Sequence, residues 1–131
     1  MSLETFFSPN SVAIIGASAT PGKVGHEILT SMLKAGYPGK IFPVNNKADQ
    51  IEGLKCFPDL ASIGQVPDLV IIVVPAKVVP DIMQQCVTIG AKSVVIITAG
   101  FKEVGKEGAQ LERKIVQIAR QGGVQVLFAA K

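Results

Sequence analysis

Ser11-Val12-Ala13-Ile14-Ile15-Gly16 is the stretch on which the reading of this chain turns, a serine and four apolar residues that stop at a glycine. A short run rich in β-branched residues and closed by Gly reads as a buried strand. A loop containing Gly and Pro follows from Ala17 to Lys23. Val24, Ile28, Leu29, Met32 and Leu33 then recur at helical spacing, with Gly36 as the stop. Strand, glycine loop and amphipathic helix, in that order, open a βαβ unit.

The alternation continues along the chain. Lys40 to Val44 is a short second strand interrupted by Pro43, Gly53 to Phe57 a further short strand, and Asp59 to Ile63 a helical turn. Asp68 to Val74, apolar from Leu69 onward, reads as a strand buried on both faces and ended by Pro75. Pro80 suits the first turn of the next helix, which carries Val79, Ile82, Met83, Cys86 and Val87 on one face and stops at Gly90. Ser93 to Thr98 is a strand. Gly105 to Gln121 is an amphipathic helix with Leu111, Ile115, Ile118 and Ala119 inward, and Gly122-Gly123 ends it before a last strand, Val124 to Phe128. The expectation is one α/β domain over residues 1–131, a Rossmann-like doubly wound parallel sheet. Such sheets bind ligands at the carboxyl ends of their strands. The segments that matter are therefore Gly16 to Gly25, Asn45 to Lys47, Val74 to Lys77 and Thr98 to Phe101.

Composition narrows the function. Of 131 residues 48% are hydrophobic and only 5% aromatic, so the core is built from Val, Ile, Leu and Ala, as in a sheet covered on both faces. A net charge of +3 on scattered lysines, with no basic run and no stacking platform, argues against nucleic acid but suits a phosphorylated ligand. Cys56 and Cys86 form no CxxC and have no His nearby, which argues against zinc; they read as reduced core residues. The longest apolar run, Leu69 to Val74, is too short to span a bilayer, and the first residues lack a signal-peptide pattern, so the expected location is cytoplasmic. No Ser–His–Asp grouping, carboxylate pair or metal cluster is legible, and the chain alone is expected to complete no reaction.

The glycine loop has a physical reason to hold phosphate. Glycines let a backbone approach an anion, and the helix that follows presents free N–H groups. Gly16, Gly22 and Gly25 are spaced G-x-x-x-x-x-G-x-x-G, looser than the G-x-G-x-x-G of a dinucleotide turn and so a wider pocket, with Ser18, Thr20 and Lys23 as polar contacts. At the end of the second strand an NAD site wants a carboxylate on the ribose; here stand Asn45-Asn46-Lys47, with Asp49 close by. Lys47 favours a ribose phosphate, either the 2′-phosphate of NADP or the 3′-phosphate of coenzyme A. Val74-Pro75-Ala76-Lys77 offers an apolar wall beside a cation, suited to a long neutral arm such as pantetheine. His26, the one histidine, reads as a helix-turn residue.

Taken together, Ser11 to Ser18, Pro21-Gly22-Lys23-Val24-Gly25, Tyr37 to Asn45, Val73-Val74-Pro75-Ala76 and Thr98-Ala99-Gly100-Phe101-Lys102-Glu103 resemble the N-terminal domain of NDP-forming acetate- and acyl-CoA synthetases. The α subunit of succinyl-CoA synthetase is a more distant relative, and the likeness runs from about Leu3 to Leu127. The resemblance implies a coenzyme A-binding domain. Gly16, Ala17, Ser18, Thr20, Pro21, Gly22, Lys23, Val24 and Gly25 would form the nucleotide loop, and Asn45 and Lys47 would lie near the phosphates. Val74, Pro75 and Lys77 would follow the pantetheine arm, with Ile97, Thr98 and Ala99 at its thiol end. Members of the family make acyl-CoA through a phosphohistidine held in a second domain. Here the expected Gly-Pro-Asn is replaced by Val126-Leu127-Phe128-Ala129-Ala130-Lys131, and His26 does not match the phosphohistidine. The implied partners are coenzyme A or acyl-CoA and the remaining synthetase domains or a partner subunit, docked near the apolar edge at Phe128. Two alternatives stand beside this reading: an NADP-binding module of an oxidoreductase, and a CoA-sensing regulatory protein without chemistry.

Overall fold

The structure is a computed structural model that describes residues 4–97 and 105–129. Every residue of β1 (Ser11–Ile15) is buried, and the strand lies inside the sheet. Parallel β2 (Lys40–Val44) pairs on one side of it and parallel β5 (Leu69–Ile72) on the other. Beyond β5 come β6 (Ser93–Ile97) and β7 (Gln125–Ala129), also parallel, in the order β2-β1-β5-β6-β7. Chain order reverses direction between β1 and β5, which makes that boundary the switch point where a ligand crevice opens.

Alternate side chains of each strand go to opposite faces and meet different helices. Ala13, Ile15, Val70, Ile72, Val94 and Ile96 pack with Val79, Met83 and Cys86 of α3 (Val79–Ile89) and with Ile115 and Ala119 of α4 (Lys106–Gly122). Val12, Ile14 and Leu69 face Leu29 of α2 (Val24–Lys34). This second face is less completely covered: Ile71 and Val95 are half-buried and Leu127 is 49% exposed. A short helix, α1 (Glu4–Phe7), contacts β6.

Pro43 sits in β2 without breaking it, because β2 is an edge strand and proline's missing N–H faces away from the β1 ladder. Phe57 closes part of that edge, donating its amide to the Pro43 carbonyl at 2.9 Å and accepting the Asn45 amide at 2.9 Å. The expected strand at Gly53 to Phe57 is instead half of a hairpin, β3 (Gln50–Ile51) with β4 (Leu54–Lys55). Gly53 lies in its two-residue turn, where it and Glu52 have φ of 78° and 51°. Positive φ at both central residues is what a tight hairpin turn requires. The helical turn expected at Asp59 to Ile63 is a 3-10 turn, Ala61–Ile63. β5 ends at Ile72, two residues early. Val73 still donates to the Ile15 carbonyl, but β1 ends there and leaves Val74 no ladder partner.

The helix stops behave as read. Gly36, Gly90 and Gly123 take φ of 72°, 84° and 71° just past α2, α3 and α4. At the amino ends of the strands the Tyr37 hydroxyl donates to the Pro9 carbonyl at 2.6 Å, and Asp68 Oδ2 accepts the Asn10 amide at 2.8 Å. Both cysteines are buried and free.

Candidate functional site

The loop between β1 and α2 is shaped by backbone contacts. Gly16 has φ +91°, and a Cβ there would meet the Val73 carbonyl. A Cβ on Gly25 would stand 2.9 Å from the Gly16 carbonyl carbon and closer still to its oxygen. The first turn of α2 is thus packed directly on the end of β1, an approach that only glycine allows. Gly22 differs: its φ is +91°, but nothing lies within 4 Å of the place a Cβ would take. That open space is where an anion can come against the backbone. Lys23, the N-cap of α2, makes no side-chain cap bond, and the first helical bond runs from the Glu27 amide to the Lys23 carbonyl. The amides of Val24, Gly25 and His26 therefore have no intrahelical partner, and they add to the positive end of the helix dipole. Within the loop, Ser18 Oγ accepts the Thr20 amide at 3.0 Å and the Thr20 carbonyl accepts the Lys23 amide at 3.3 Å.

Asn45 joins this loop to the end of β2. Its Nδ2 donates to the Ala17 carbonyl at 2.7 Å, and its Oδ1 accepts the Lys47 amide at 2.7 Å. One side chain therefore fixes where Lys47 starts relative to the glycine loop, and the exposed Lys47 ammonium is left to swing over it.

Two hollows open along the carboxyl edge and share Gly16, Asn45 and Val74. The first, about 420 Å³, brings together Gly16, Ala17, Ser18, Lys23, Val24 and Gly25 with Val74, Pro75 and Ile97. The second, about 340 Å³, lies between the end of β2 and α3; Lys47 stands at it with Val44, Pro58, Asp59, Ile82 and Gln85. Of the residues singled out from sequence, Thr20, Pro21 and Gly22 lie on the exposed tip of the glycine loop. Lys77 stands elsewhere, in a hollow with Glu107, Leu111 and Lys114 at the start of α4. Thr98 and Ala99 lie outside the described residues, as do Gly100, Phe101, Lys102 and Glu103. Pro58, Asp59, Ile82 and Gln85 were not legible as site residues, because the fold brings them to the crevice from a turn and a helix face with no glycine or strand end beside them.

Charges at the site are of both signs. The Ser62 hydroxyl and amide donate to Asp59 Oδ1 at 2.6 and 2.9 Å and hold its carboxyl below the usual range. His26, 8% exposed, bonds Glu52 Oε1 through Nε2 at 2.9 Å. Among the described residues no cluster of His, Cys, Asp and Glu could hold a metal ion, and no helix is long and apolar enough to cross a membrane.

Residues 10–129 match the model of a family described as CoA binding domain. The chain is 45% identical over 124 residues to acetate–CoA ligase [ADP-forming] II of Archaeoglobus fulgidus, covering 95% of this chain and 18% of that protein. It is 45% identical over 131 residues to the α subunit of acetate–CoA ligase [ADP-forming] I of Pyrococcus furiosus, covering 97% of this chain and 28% of the subunit. Among solved structures, the apo form of the dinucleotide forming acetyl-coenzyme A synthetase 1 of Candidatus Korarchaeum cryptofilum superposes with a TM-score of 0.90 at 40% identity, over 96% of this chain and 27% of that one. The chain thus spans less than a third of the length of these relatives.

Proposed function

The chain belongs to the CoA binding domain family, and on that premise we propose that it is the coenzyme A-holding module of an ADP-forming acyl-CoA synthetase, seating the nucleotide on the Gly16–Gly25 loop and its ribose phosphate under Lys47. The observation that carries this seating is Gly22, whose positive φ and empty Cβ position sit beside the uncapped amino end of α2. The free amides of Val24, Gly25 and His26 at that helix end are what would receive a pyrophosphate. In this reading the ribose 3′-phosphate lies under Lys47, and the apolar walls at Val44, Val74 and Ile82 receive the adenine ring. From there the pantetheine arm follows Val74 and Pro75 to Ile97, toward Thr98 and Ala99. These residues bind and orient; a module of this kind presents the thiol, and acyl transfer and phosphoryl chemistry fall to other domains. Neither the NADP module nor the CoA-sensing protein gains support from the relatives, which are acetate–CoA ligases by name.

The apolar edge strand β7, with Phe128 42% and Leu127 49% exposed, and the adjoining partly covered face at Ile71 and Val95 support docking of the remaining synthetase domains there. Sedimentation equilibrium tests the competing occupant: self-association at high concentration would assign the face to a second copy instead.

Calorimetric titration with coenzyme A, dephospho-CoA, NADP and NAD tests the ligand. Coenzyme A should bind and raise the melting temperature while NADP does neither. NADP binding without coenzyme A binding would overturn the reading. Gly22→Val should lose coenzyme A while remaining folded, and unchanged affinity would move the phosphate site elsewhere.

A further inference from the structure

The Gly22 amide is not idle in the ligand-free chain: Glu27 Oε1 accepts it at 3.1 Å. The same oxygen stands 3.9 Å from His26 Nδ1. That nitrogen is sealed from solvent and has no hydrogen-bond partner. On the other side of the ring Nε2 meets Glu52 Oε1, from the turn of the β3–β4 hairpin, at 2.9 Å. Among the described residues, Glu27 on the helix and Glu52 on the hairpin are the charged groups that reach this ring.

An ionised carboxylate only accepts, so the bond to Glu52 puts a proton on Nε2. In the neutral ring Nδ1 is then a bare lone pair facing the Glu27 oxygen, and two acceptors cannot bond. A second proton changes this. Nδ1–H becomes a donor, and a carboxylate movement of about 1 Å closes a charge-assisted bond. Glu27 therefore stands between two donors, the Gly22 amide and, once protonated, His26, and can move fully onto the second when the first is taken.

We propose that Glu27 is a carboxylate displaced by the ligand: a phosphate of coenzyme A takes the Gly22 N–H, Glu27 moves onto His26 Nδ1, and the imidazole draws a proton from the buffer. Coenzyme A binding is thereby coupled to proton uptake and strengthens as pH falls. The inference rests on phosphate being held at the glycine loop. Displacement follows because one N–H cannot serve two anions, and a carboxylate left beside a phosphate would repel it. The proton comes from solvent, and the pyrophosphate, already fully ionised near neutral pH, releases none, so the charge it carries in is partly balanced at His26.

The experiment is calorimetric titration near neutral pH in two buffers with different heats of ionisation, which counts protons taken up. Dephospho-CoA is titrated beside coenzyme A, because the 3′-phosphate monoester itself titrates near pH 6. Wild-type chain should take up a measurable fraction of a proton with dephospho-CoA, and less with coenzyme A, whose 3′-phosphate gives up protons beside Lys47. Glu27→Gln keeps an acceptor for Gly22 but removes the charge. It should bind about three- to fivefold tighter, the scale of an exposed charge pair, and should lose the proton uptake. His26→Asn should abolish the uptake as well; where that variant fails to fold, Glu27→Gln alone decides. Binding of dephospho-CoA by the wild type without proton uptake, or no gain in affinity in Glu27→Gln, overturns the inference. Failure of the wild type to bind coenzyme A at all overturns instead the ligand reading on which it rests.

Discussion

Gly25→Ala should destabilise the chain, although alanine in place of a helical glycine ordinarily stabilises by about 1 kcal/mol. Gly25 is buried in the first turn of α2, and an added Cβ would lie 2.9 Å from the Gly16 carbonyl carbon and 3.1 Å from Ala17 Cα. Both are backbone atoms and cannot turn aside. Nor can the end of β1 retreat, because the Gly16 amide is held by the Val44 carbonyl at 3.2 Å and the residue is packed on the Val73 carbonyl. The helix has to move, and overpacking of this kind costs about 1 to 3 kcal/mol. Backbone overlap puts the cost at the upper end of that range, and less the helical gain of about 1 kcal/mol the net loss is about 2 kcal/mol; spread over an unfolding entropy of about 2.1 cal/mol/K per residue, it lowers the melting temperature by about 7 °C. Urea unfolding gives the free energy directly, with an unchanged m-value as the check that only stability has moved. Gly22→Ala is the control, since its Cβ would enter open space and strain only φ. It should lose about 1 to 2 kcal/mol. A Gly25→Ala chain as stable as the wild type would mean that α2 does not press on β1, and the loop geometry argued above would fall with it.

Lys47→Ala should weaken coenzyme A several-fold more than dephospho-CoA in parallel titrations; equal losses would remove the 3′-phosphate from Lys47. Asn45→Ala, which deletes the bonds to Ala17 and Lys47, should cost about 1 to 2 kcal/mol in urea unfolding and weaken coenzyme A even though Lys47 is intact. Burial pushes the Cys86 thiol up to about 12. With Cys56 replaced by serine, the folded chain should therefore resist maleimide at pH 8 and react only after unfolding, and rapid labelling of that native variant would contradict the burial of Cys86. Asp59, its carboxyl held low by Ser62, favours the fold above the pH at which an unfolded aspartate ionises and loses that contribution as pH falls through its lower folded value. In Ser62→Ala the Asp59 carbon resonance should titrate at higher pH by NMR.

Which parts of this were legible depended on how local their cause is. β1 and β2 have the bounds read from sequence, since an apolar run closed by a glycine or held between turns states its own ends. The glycines of the first loop were legible for the same reason. The hairpin was misplaced because strands of two residues have no period to read, and its turn uses Glu52 at positive φ, a position sequence usually signals with Asn or Asp. α1 was not foreseen at all, being only four residues long. The end of β5 depends on where its neighbour β1 stops, which is a property of the sheet and not of the segment. Asp59, Ile82 and Gln85 reach the crevice only through tertiary packing, and so does the contact between Glu27 and Gly22.

Tyr37 has a practical consequence. It is the one tyrosine of a chain without tryptophan, and its hydroxyl is tied to Pro9 at the amino end of the sheet. Burial and the nearby Asp68 raise its pKa, so the phenol stays protonated in ordinary buffers. The protein thus carries a single native fluorophore at the pole opposite the glycine loop. Its emission should follow global unfolding and stay nearly silent when a ligand binds, so that stability and affinity can be read from one sample without labelling.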